Sequence, residues 1–117
     1  MASHLSVENF NTFAGPQLEI ATPWETGVCF LPECGRDFEP ARPWQIYCCR
    51  ACEQRGVAEF RKWGHRLAMS SLVHRMGKYE REDQGLRALS RAARRHVGAV
   101  QSAWVEDRRE RAEGRPG

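Results

Sequence analysis

Long apolar runs and aliphatic side chains are both scarce in this sequence. Leu, Ile, Val and Phe together account for 21 of the 117 residues, a share close to that of disordered chains, so a stable core needs help from aromatic side chains or a metal. No stretch approaches the roughly 18 consecutive apolar residues of a membrane-spanning helix, and the N-terminus has neither a basic leader nor an apolar signal core. We therefore expect one small cytoplasmic domain with no membrane partner.

Cysteine, in contrast, is abundant, and all five cysteines fall within 24 positions. Disulfides do not persist in a reducing cytoplasm, where clustered cysteines more often bind metals. A close pair, a gap of 13 residues and a second cluster ahead of a predicted helix are typical of a structural zinc site, because such zinc binds four protein ligands tetrahedrally. We predict Zn²⁺ bound by Cys29, Cys34, Cys52 and one more thiolate. Spacing alone leaves Cys48 and Cys49 as alternatives for that place.

Charge is distributed unevenly along the chain. Residues 1–47 carry two bases against six acids, whereas residues 48–117 carry sixteen bases against nine acids. Two long stretches, 60–79 and 84–105, contain bases but no acid. Such stretches favour a polyanionic partner, although solvated helices are also often rich in arginine. The predicted nucleic-acid-binding residues are Arg61, Lys62, Arg66, Arg87, Arg91, Arg94 and Arg95.

The N-terminal half of the chain shows no sustained periodicity. Residues 1–24 contain scattered apolar side chains interrupted by glycine and proline, and we expect an irregular arm that packs locally. Residues 25–55 combine the cysteines with short β-type segments at 28–30, 37–39 and 45–47. These segments predict small β-hairpins within a zinc-finger module.

The C-terminal half predicts a helical hairpin over residues 50–112. No proline occurs between Cys49 and Pro116, and strong helix formers dominate. In the first helical segment the apolar stripe changes face near Ser70, so we expect a bend, a second short helix or burial on two sides. Gly77 is expected to end that segment.

The second helical segment, from about residue 79, has the cleanest apolar period, running from Leu86 to Trp104. This stripe suits antiparallel packing on the first segment, and it equally suits a homodimer seam. From Glu106 onward the chain is highly charged, so we expect fraying and a disordered tail at 113–117.

The stretch from 29 to 52 resembles a small zinc-finger family of bacterial and phage proteins with treble-clef, MYM/FCS-like character. The family pattern is Cys, two to four residues, Cys-Gly, two residues, Phe, one residue, Pro, and then Gln-x-Tyr-Cys-Ser, two residues, Cys. The resemblance covers 24 of 117 residues, and the family spans DNA binding and protein binding. The matching positions are Cys29, Cys34, Gly35, Phe38, Pro40, Gln45, Tyr47, Cys48 and Cys52.

This resemblance has consequences for individual residues. It implies that Cys48 is a metal ligand and that Cys49, the one departure from the pattern, replaces the family's serine as a spare thiol. It also implies that Phe38 and Tyr47 pack beneath the metal. The expected fold is small and mostly α, with a treble-clef-like zinc finger and short β-hairpins followed by an antiparallel helical pair.

The predicted function follows from the metal site and the charge pattern. Four thiolates leave no open coordination position, and the four histidines form no catalytic motif, so we expect no enzyme activity and no small-molecule substrate. The first hypothesis is a zinc-stabilised nucleic-acid-binding regulator, with DNA as the expected target. The surplus of Trp and Phe supports a second hypothesis, a phage-type interaction module or inhibitor that binds a host or viral protein.

Overall fold

The computed structural model describes residues 7–115 as a predominantly helical chain. A segment without regular secondary structure connects two single-turn helices to two long helices. We refer to its cysteine-bearing part, residues 25–49, as the knuckle. The helices are α1 (Phe10–Phe13), α2 (Gly15–Leu18), α3 (Arg50–Gly77) and α4 (Gln84–Glu113).

The β-hairpins predicted for the knuckle are not formed. Within residues 7–115 the β structure is limited to one isolated antiparallel bridge, between Val28 and Asp37. Single backbone hydrogen bonds join these segments in place of β ladders. For example, the N–H of Phe30 donates to the Ile46 carbonyl at 2.7 Å. The predicted fold class, with its treble-clef-like hairpins, is therefore wrong. Three prolines and two glycines with positive φ interrupt the knuckle, and segments of three residues are too short to build a sheet.

The N-terminal arm contains two helical turns rather than irregular chain throughout. Asn9 caps α1, because its side-chain carbonyl accepts the N–H of Thr12 at 3.0 Å. Pro16 lies in the first turn of α2, where its missing N–H costs nothing. The first six residues of the predicted arm, which include His4, lie outside the described residues.

Helix α3 begins after its N-cap residue Cys49 and runs without interruption across Ser70 to Gly77. The absence of proline permits this length. The residues that α3 buries recur at helical spacing along one stripe, so a single face of the helix is used for packing. They are Cys52, Gly56, Glu59, Trp63, Ser70 and Gly77.

Helix α4 begins at Gln84, later than the sequence predicts, because a side-chain cap defines its start. The Asp83 carboxylate accepts the N–H of Leu86 at 2.9 Å. In the turn before it, the Glu80 carboxylate accepts the backbone N–H groups of Glu82 and Asp83. Residues 78–83 therefore form the connection between α3 and α4 rather than the first turn of α4.

The two long helices pack antiparallel, and the apolar stripe of α4 is used for this contact. Trp104 stacks on Trp63 with ring centroids 5.8 Å apart and planes inclined by 4°. At the other end of the hairpin the Ser90 hydroxyl donates to the His74 carbonyl at 2.7 Å. Most of the stripe is therefore used for packing within the chain, although Leu89 remains 55% exposed.

The helices approach each other closely near the turn, at Gly77. A Cβ at this position would lie 2.6 Å from the Leu86 carbonyl oxygen and 2.7 Å from the Ser90 Cβ. Only glycine permits this approach. No helix in residues 7–115 is both long and apolar enough to cross a membrane.

The charged C-terminal segment remains helical to Glu113 instead of fraying from Glu106. Beyond the helix, the Arg115 guanidinium donates to the Pro32 carbonyl in the knuckle. Pro116 and Gly117, the end of the predicted disordered tail, lie outside the described residues.

Candidate metal centre

Four cysteines converge on one point between the knuckle and the start of α3. The Sγ atoms of Cys29, Cys34, Cys48 and Cys52 all lie within 4.8 Å of one another. The Cys34 and Cys48 sulfurs are 3.8 Å apart, and those of Cys48 and Cys52 are 3.7 Å apart. A tetrahedral ion bound to thiolates at about 2.3 Å requires sulfur separations of about 3.8 Å. The four side chains are therefore arranged to hold a metal ion, in a geometry compatible with structural zinc.

A tight turn positions the first pair of cysteines. The N–H groups of Cys34 and Gly35 both donate to the Leu31 carbonyl, at 3.0 and 3.2 Å. Gly35 has a φ of +60°, a left-handed conformation that residues with a Cβ adopt at a cost. After the turn, the N–H of Cys29 donates to the Arg36 carbonyl at 2.9 Å. The chain reversal thus brings both sulfurs to one side.

The second pair straddles the start of α3. Cys48 lies two residues before the helix, and Cys52 lies in its first turn. The N–H of Cys48 also donates to the Sγ of Cys29 at 3.4 Å, which joins the two halves of the cluster. Free N–H groups at the helix N-terminus favour negative charge, so this location stabilises thiolates.

The thiol pKa values reflect the crowding of the four sulfurs. Burial raises the pKa of Cys48 to about 12, and burial also raises that of Cys52 above its usual value. Burial acts in the same direction on Cys34, but hydrogen bonds, first from the backbone of Arg36, outweigh it and the pKa of Cys34 is lowered. Four simultaneous thiolates thus need a cation, and metal binding releases protons.

The structure places Cys49 apart from the cluster. It is the N-cap residue of α3, and its side chain is exposed. Sequence spacing alone left Cys48 and Cys49 as alternatives. The start of α3 separates them, because adjacent residues at a helix start point in different directions.

Replacing Cys49 by serine should therefore leave metal binding intact. We expect the Cys49→Ser protein to bind one metal ion per chain with unchanged affinity, because Cys49 is exposed outside the cluster and serine is a preferred N-cap residue. The matched variant Cys48→Ser removes a clustered sulfur and should lose tight binding. Native mass spectrometry of both variants measures the stoichiometry. Loss of metal from Cys49→Ser would contradict the assignment.

Apolar side chains surround the four cysteines. Leu31 and Cys29 are the most completely buried large side chains of the described residues, at 0% and 2% exposure. Phe38 and Tyr47 belong to the same cluster. Tyr47 packs against Gly56 of α3, where a Cβ would lie 2.1 Å from the tyrosine oxygen. Gly56 therefore makes room for the knuckle on the helix.

Three arginines near the end of α4 hold the knuckle, and we call them the arginine clasp: Arg108, Arg111 and Arg115. Arg108 donates to the Phe30 carbonyl at 2.6 Å, and its guanidinium lies 4.1 Å from the centre of the Phe30 ring. Arg111 binds both carboxylate oxygens of Glu33, at 2.7 and 3.2 Å. Bidentate pairs of this kind are strong and directional. The clasp thus fixes the loop between the first two cysteines.

Glu59 of α3 forms ion pairs with two arginines of the clasp, Arg108 and Arg111. Its side chain is 4% exposed. One carboxylate oxygen accepts the indole N–H of Trp104 and a guanidinium N–H of Arg108, both at 2.7 Å, and Arg111 lies 3.3 Å away. Burial acts to raise the pKa of Glu59, but the hydrogen bonds from these three donors outweigh it, so the pKa is lowered from 4.5.

Neither the clasp nor Glu59 was among the residues predicted from the sequence. A signal was present, because Glu59 occupies a position of the buried α3 stripe between Gly56 and Trp63. An acid at a core position of a helix requires charged or hydrogen-bonding partners. The arginines themselves gave no signal, because the C-terminal segment contains many of them.

All seven predicted nucleic-acid-binding residues are exposed and lie on the hairpin. Two of them, Lys62 and Arg66, have their charged groups 5.4 and 5.0 Å from the centre of the Trp63 ring. These two therefore also cover an aromatic core residue. None of the seven forms an ion pair within residues 7–115.

The fold and the site together describe a helical hairpin that carries a knuckle with four cysteines arranged to hold a metal ion. Comparisons with protein-family models, curated proteins and solved structures each found no match. The resemblance to MYM/FCS-like zinc fingers accordingly remains a prediction from the sequence.

Proposed function

We propose that this protein is a non-catalytic, zinc-stabilised regulator that binds nucleic acid, with DNA as the target, through its helical hairpin. The observation that supports this function is the separation of charge in the fold. Nine bases and no acid lie within residues 60–79 and 84–105, the parts of the hairpin beyond the metal centre, and none of the nine forms an ion pair within residues 7–115. They are Arg61, Lys62, Arg66, Arg75, Lys78, Arg87, Arg91, Arg94 and Arg95.

Arginines at the other end of the molecule have a different environment. Arg55, Arg108 and Arg111 each form an ion pair with Glu33 or Glu59. Internal pairing therefore neutralises these three arginines near the metal, whereas none of the nine bases beyond the metal centre has an acid partner within residues 7–115. An unneutralised basic surface attracts polyanions and binds phosphates.

The helical period places several of the unpaired bases on one side of the hairpin. Arg87, Arg91 and Arg94 lie within about 60° of arc on α4, at 100° per residue. Arg75 of α3 flanks the same side of the hairpin, because it is rotated from the buried stripe by about 120° in the same sense as Arg87. We call these four residues the basic strip. Arginine suits both phosphate pairing and guanine edges, so the strip is the proposed contact surface.

Zinc is the metal proposed for the centre. Four thiolates in a tetrahedral arrangement favour zinc, and a shell closed by protein ligands is typical of structural rather than catalytic sites. The exposed, unbridged cysteine at position 49 is in keeping with a reducing compartment such as the cytoplasm.

The proposal predicts binding to duplex DNA that weakens steeply with salt. The logarithm of the affinity should fall by about 0.9 per phosphate contact for each tenfold rise in salt. The double variant Arg91→Glu/Arg94→Glu should bind at least about tenfold more weakly and with a smaller slope. Fluorescence anisotropy across a salt series measures both quantities.

The control is Arg109→Glu, which reverses one charge on α4, half of the charge change made by the double variant. Arg109 is exposed, but it lies at the metal end and pairs with Glu106 at 2.7 Å, so its reversal should leave most of the affinity. Salt-insensitive binding, or no binding to either DNA or RNA, would contradict the proposal.

A protein-interaction module remains the second candidate, because large apolar side chains are exposed outside the hairpin. Phe10, Phe13 and Trp44 are 66%, 72% and 65% exposed. Trp63 and Trp104, which the sequence offered as further anchors, are instead stacked inside the protein. A defined protein complex that survives the Arg91→Glu/Arg94→Glu change would favour this candidate.

A further inference from the structure

A cavity of about 990 Å³ lies where the knuckle meets the first turns of α3. This volume falls within the range of about 300–1,000 Å³ that is typical of small-ligand sites. The cavity is separate from the metal centre, because Cys49 rather than any of the four clustered cysteines borders it. Four of its lining side chains are large and aromatic or aliphatic: Trp44, Ile46, Tyr47 and Val57.

Trp44 lies in a turn that hydrogen bonds hold in place. The side-chain carbonyl of Gln45 accepts the N–H of Ala41 at 2.8 Å, and its amide donates to the Tyr47 carbonyl at 2.9 Å. The N–H of Gln45 also donates to the Arg42 carbonyl at 3.0 Å. The backbone is thus fixed on both sides of Trp44, whose side chain is nevertheless 65% exposed. A binding surface that is ordered in advance loses less conformational entropy when a ligand binds.

The exposed indole is suited to a flat aromatic ligand. The guanidinium carbon of Arg42 lies 5.9 Å from the centre of the Trp44 ring, so a cation already flanks the indole. Nucleobases stack on exposed aromatic rings with little regard to sequence, because every base has a π-face. Guanidinium groups add a cation–π attraction to such stacks.

The charged side chains of the lining favour an anion. They are Arg42, Arg50 and Glu53, two bases against one acid. None of the three forms an ion pair within residues 7–115. Guanidinium groups pair with phosphate through parallel hydrogen bonds. An aliphatic peptide would leave both guanidinium groups unpaired, whereas a nucleotide offers a base to the indole and a phosphate to the arginines.

We propose that this cavity binds an unpaired nucleotide of a single-stranded nucleic acid. The base stacks on Trp44, and the adjoining phosphates pair with Arg42 and Arg50. This site goes beyond the duplex contact proposed for the basic strip. It does not depend on that contact, because the two surfaces share no residue.

The first test locates binding with Cys49, which is exposed and borders the cavity. A maleimide should modify Cys49 of the full, metal-loaded chain, because the metal holds the four clustered thiols. Oligothymidylate of about ten nucleotides, at about ten times its Kd, should slow this modification by about tenfold, since most chains are then occupied. Inorganic phosphate at the same concentration should not protect Cys49, because it has no base to stack. Oligouridylate in a parallel series shows whether the site prefers RNA or DNA.

The second test separates stacking from apolar contact. Trp44→Leu should raise the Kd for oligothymidylate by about tenfold, because the base loses its aromatic partner. Trp44→Tyr keeps a ring and should stay within about threefold of the original chain. The matched control is Phe13→Leu, since Phe13 is 72% exposed but does not border the cavity. It should leave the Kd unchanged.

A salt series tests the phosphate contact. If Arg50 pairs with one phosphate, Arg50→Gln should reduce the slope of log affinity against log salt by about 0.7. The Arg91→Glu/Arg94→Glu protein should retain the protection of Cys49 even where its duplex binding is lost. Failure of the proposed function is therefore distinguishable from failure of this site. Oligonucleotide that leaves Cys49 unprotected, or a Trp44→Leu protein that binds as the original chain does, would overturn the proposal.

Discussion

Removing the metal from the reduced protein should abolish cooperative unfolding of the knuckle and expose its core. The most completely buried side chains, Leu31 and Cys29, surround the cysteine cluster, and no β ladder holds the knuckle together. Structural zinc sites contribute apparent binding free energies of about 10–16 kcal/mol. That is as large as the whole unfolding free energy of a small domain, about 5–15 kcal/mol. The knuckle of the metal-free chain should therefore be unfolded.

The loss should extend into the hairpin. Cys52 belongs to the first turn of α3, and the clasp attaches the end of α4 to Phe30 and Glu33 of the knuckle. When the knuckle unfolds, the partners of these arginines are lost as well. We expect chelation to lower both the far-UV circular dichroism signal and the midpoint of thermal unfolding, with the Trp63 and Trp104 fluorescence shifted to the red.

Two variants serve as controls for the chelation experiment. Cys34→Ser should reproduce the metal-free state without a chelator, and Cys49→Ser should behave as the original chain does. Amide hydrogen exchange locates the change, since protection should disappear first at residues 25–49. An unfolding curve that strong chelation leaves unchanged in reduced protein would contradict a structural role for the metal.

The cysteine cluster could be predicted from the sequence because its determinants are local. A close pair, a hairpin-sized gap and a pair at a helix start define where sulfurs can meet. The choice between Cys48 and Cys49 could not be made from spacing, because either suits a knuckle that opens a helix. It depends on where α3 begins, and the structure places Cys49 at the N-cap.

The predicted β-hairpins do not form, because segments of three residues have β propensity but are too short to build a ladder. Val28 and Asp37 do form a bridge, but a ladder needs neighbouring pairs, which the prolines and the turn at Gly35 prevent. Convergence of the sulfurs, rather than strand pairing, organises the knuckle. Short β-type segments beside metal ligands therefore predict chain direction better than they predict sheets.

The C-terminal arginines show a different limit of sequence reasoning. Composition indicated a charged segment that frays, yet Arg108 and Arg111 bind acids 49 and 78 residues away along the chain. Pairing at such separation depends on the antiparallel path of α3 and α4, which charge counts do not contain. The nine bases beyond the metal centre form no ion pair within residues 7–115, and this contrast appears only in the fold.

Replacing Glu59 by alanine should destabilise the fold by about 3–5 kcal/mol, because it leaves the largely buried guanidinium of Arg108 without its counterion. The change removes the acceptor of Trp104 and Arg108 and one of the acids that pair with Arg111. Glu106→Ala is the matched control. Glu106 pairs with Arg109 on the surface of the same helical hairpin, and an exposed pair contributes about 0–1 kcal/mol. Urea unfolding of the metal-loaded proteins measures both differences.

The pH dependence of stability distinguishes the effect of the Glu59 charge from the effect of its side-chain volume. Its pKa lies below 4.5 in the folded protein, so its contribution is fully present above about pH 4.5 and is lost as the pH falls through the folded pKa. Glu59→Gln keeps the volume and one acceptor but carries no charge. Metal loss in acid affects both proteins alike, so the original chain should lose more stability than Glu59→Gln as the pH falls from about 4.5 through the folded pKa of Glu59. Parallel pH profiles, or an alanine variant as stable as the Glu106→Ala control, would show that Glu59 does not hold the clasp.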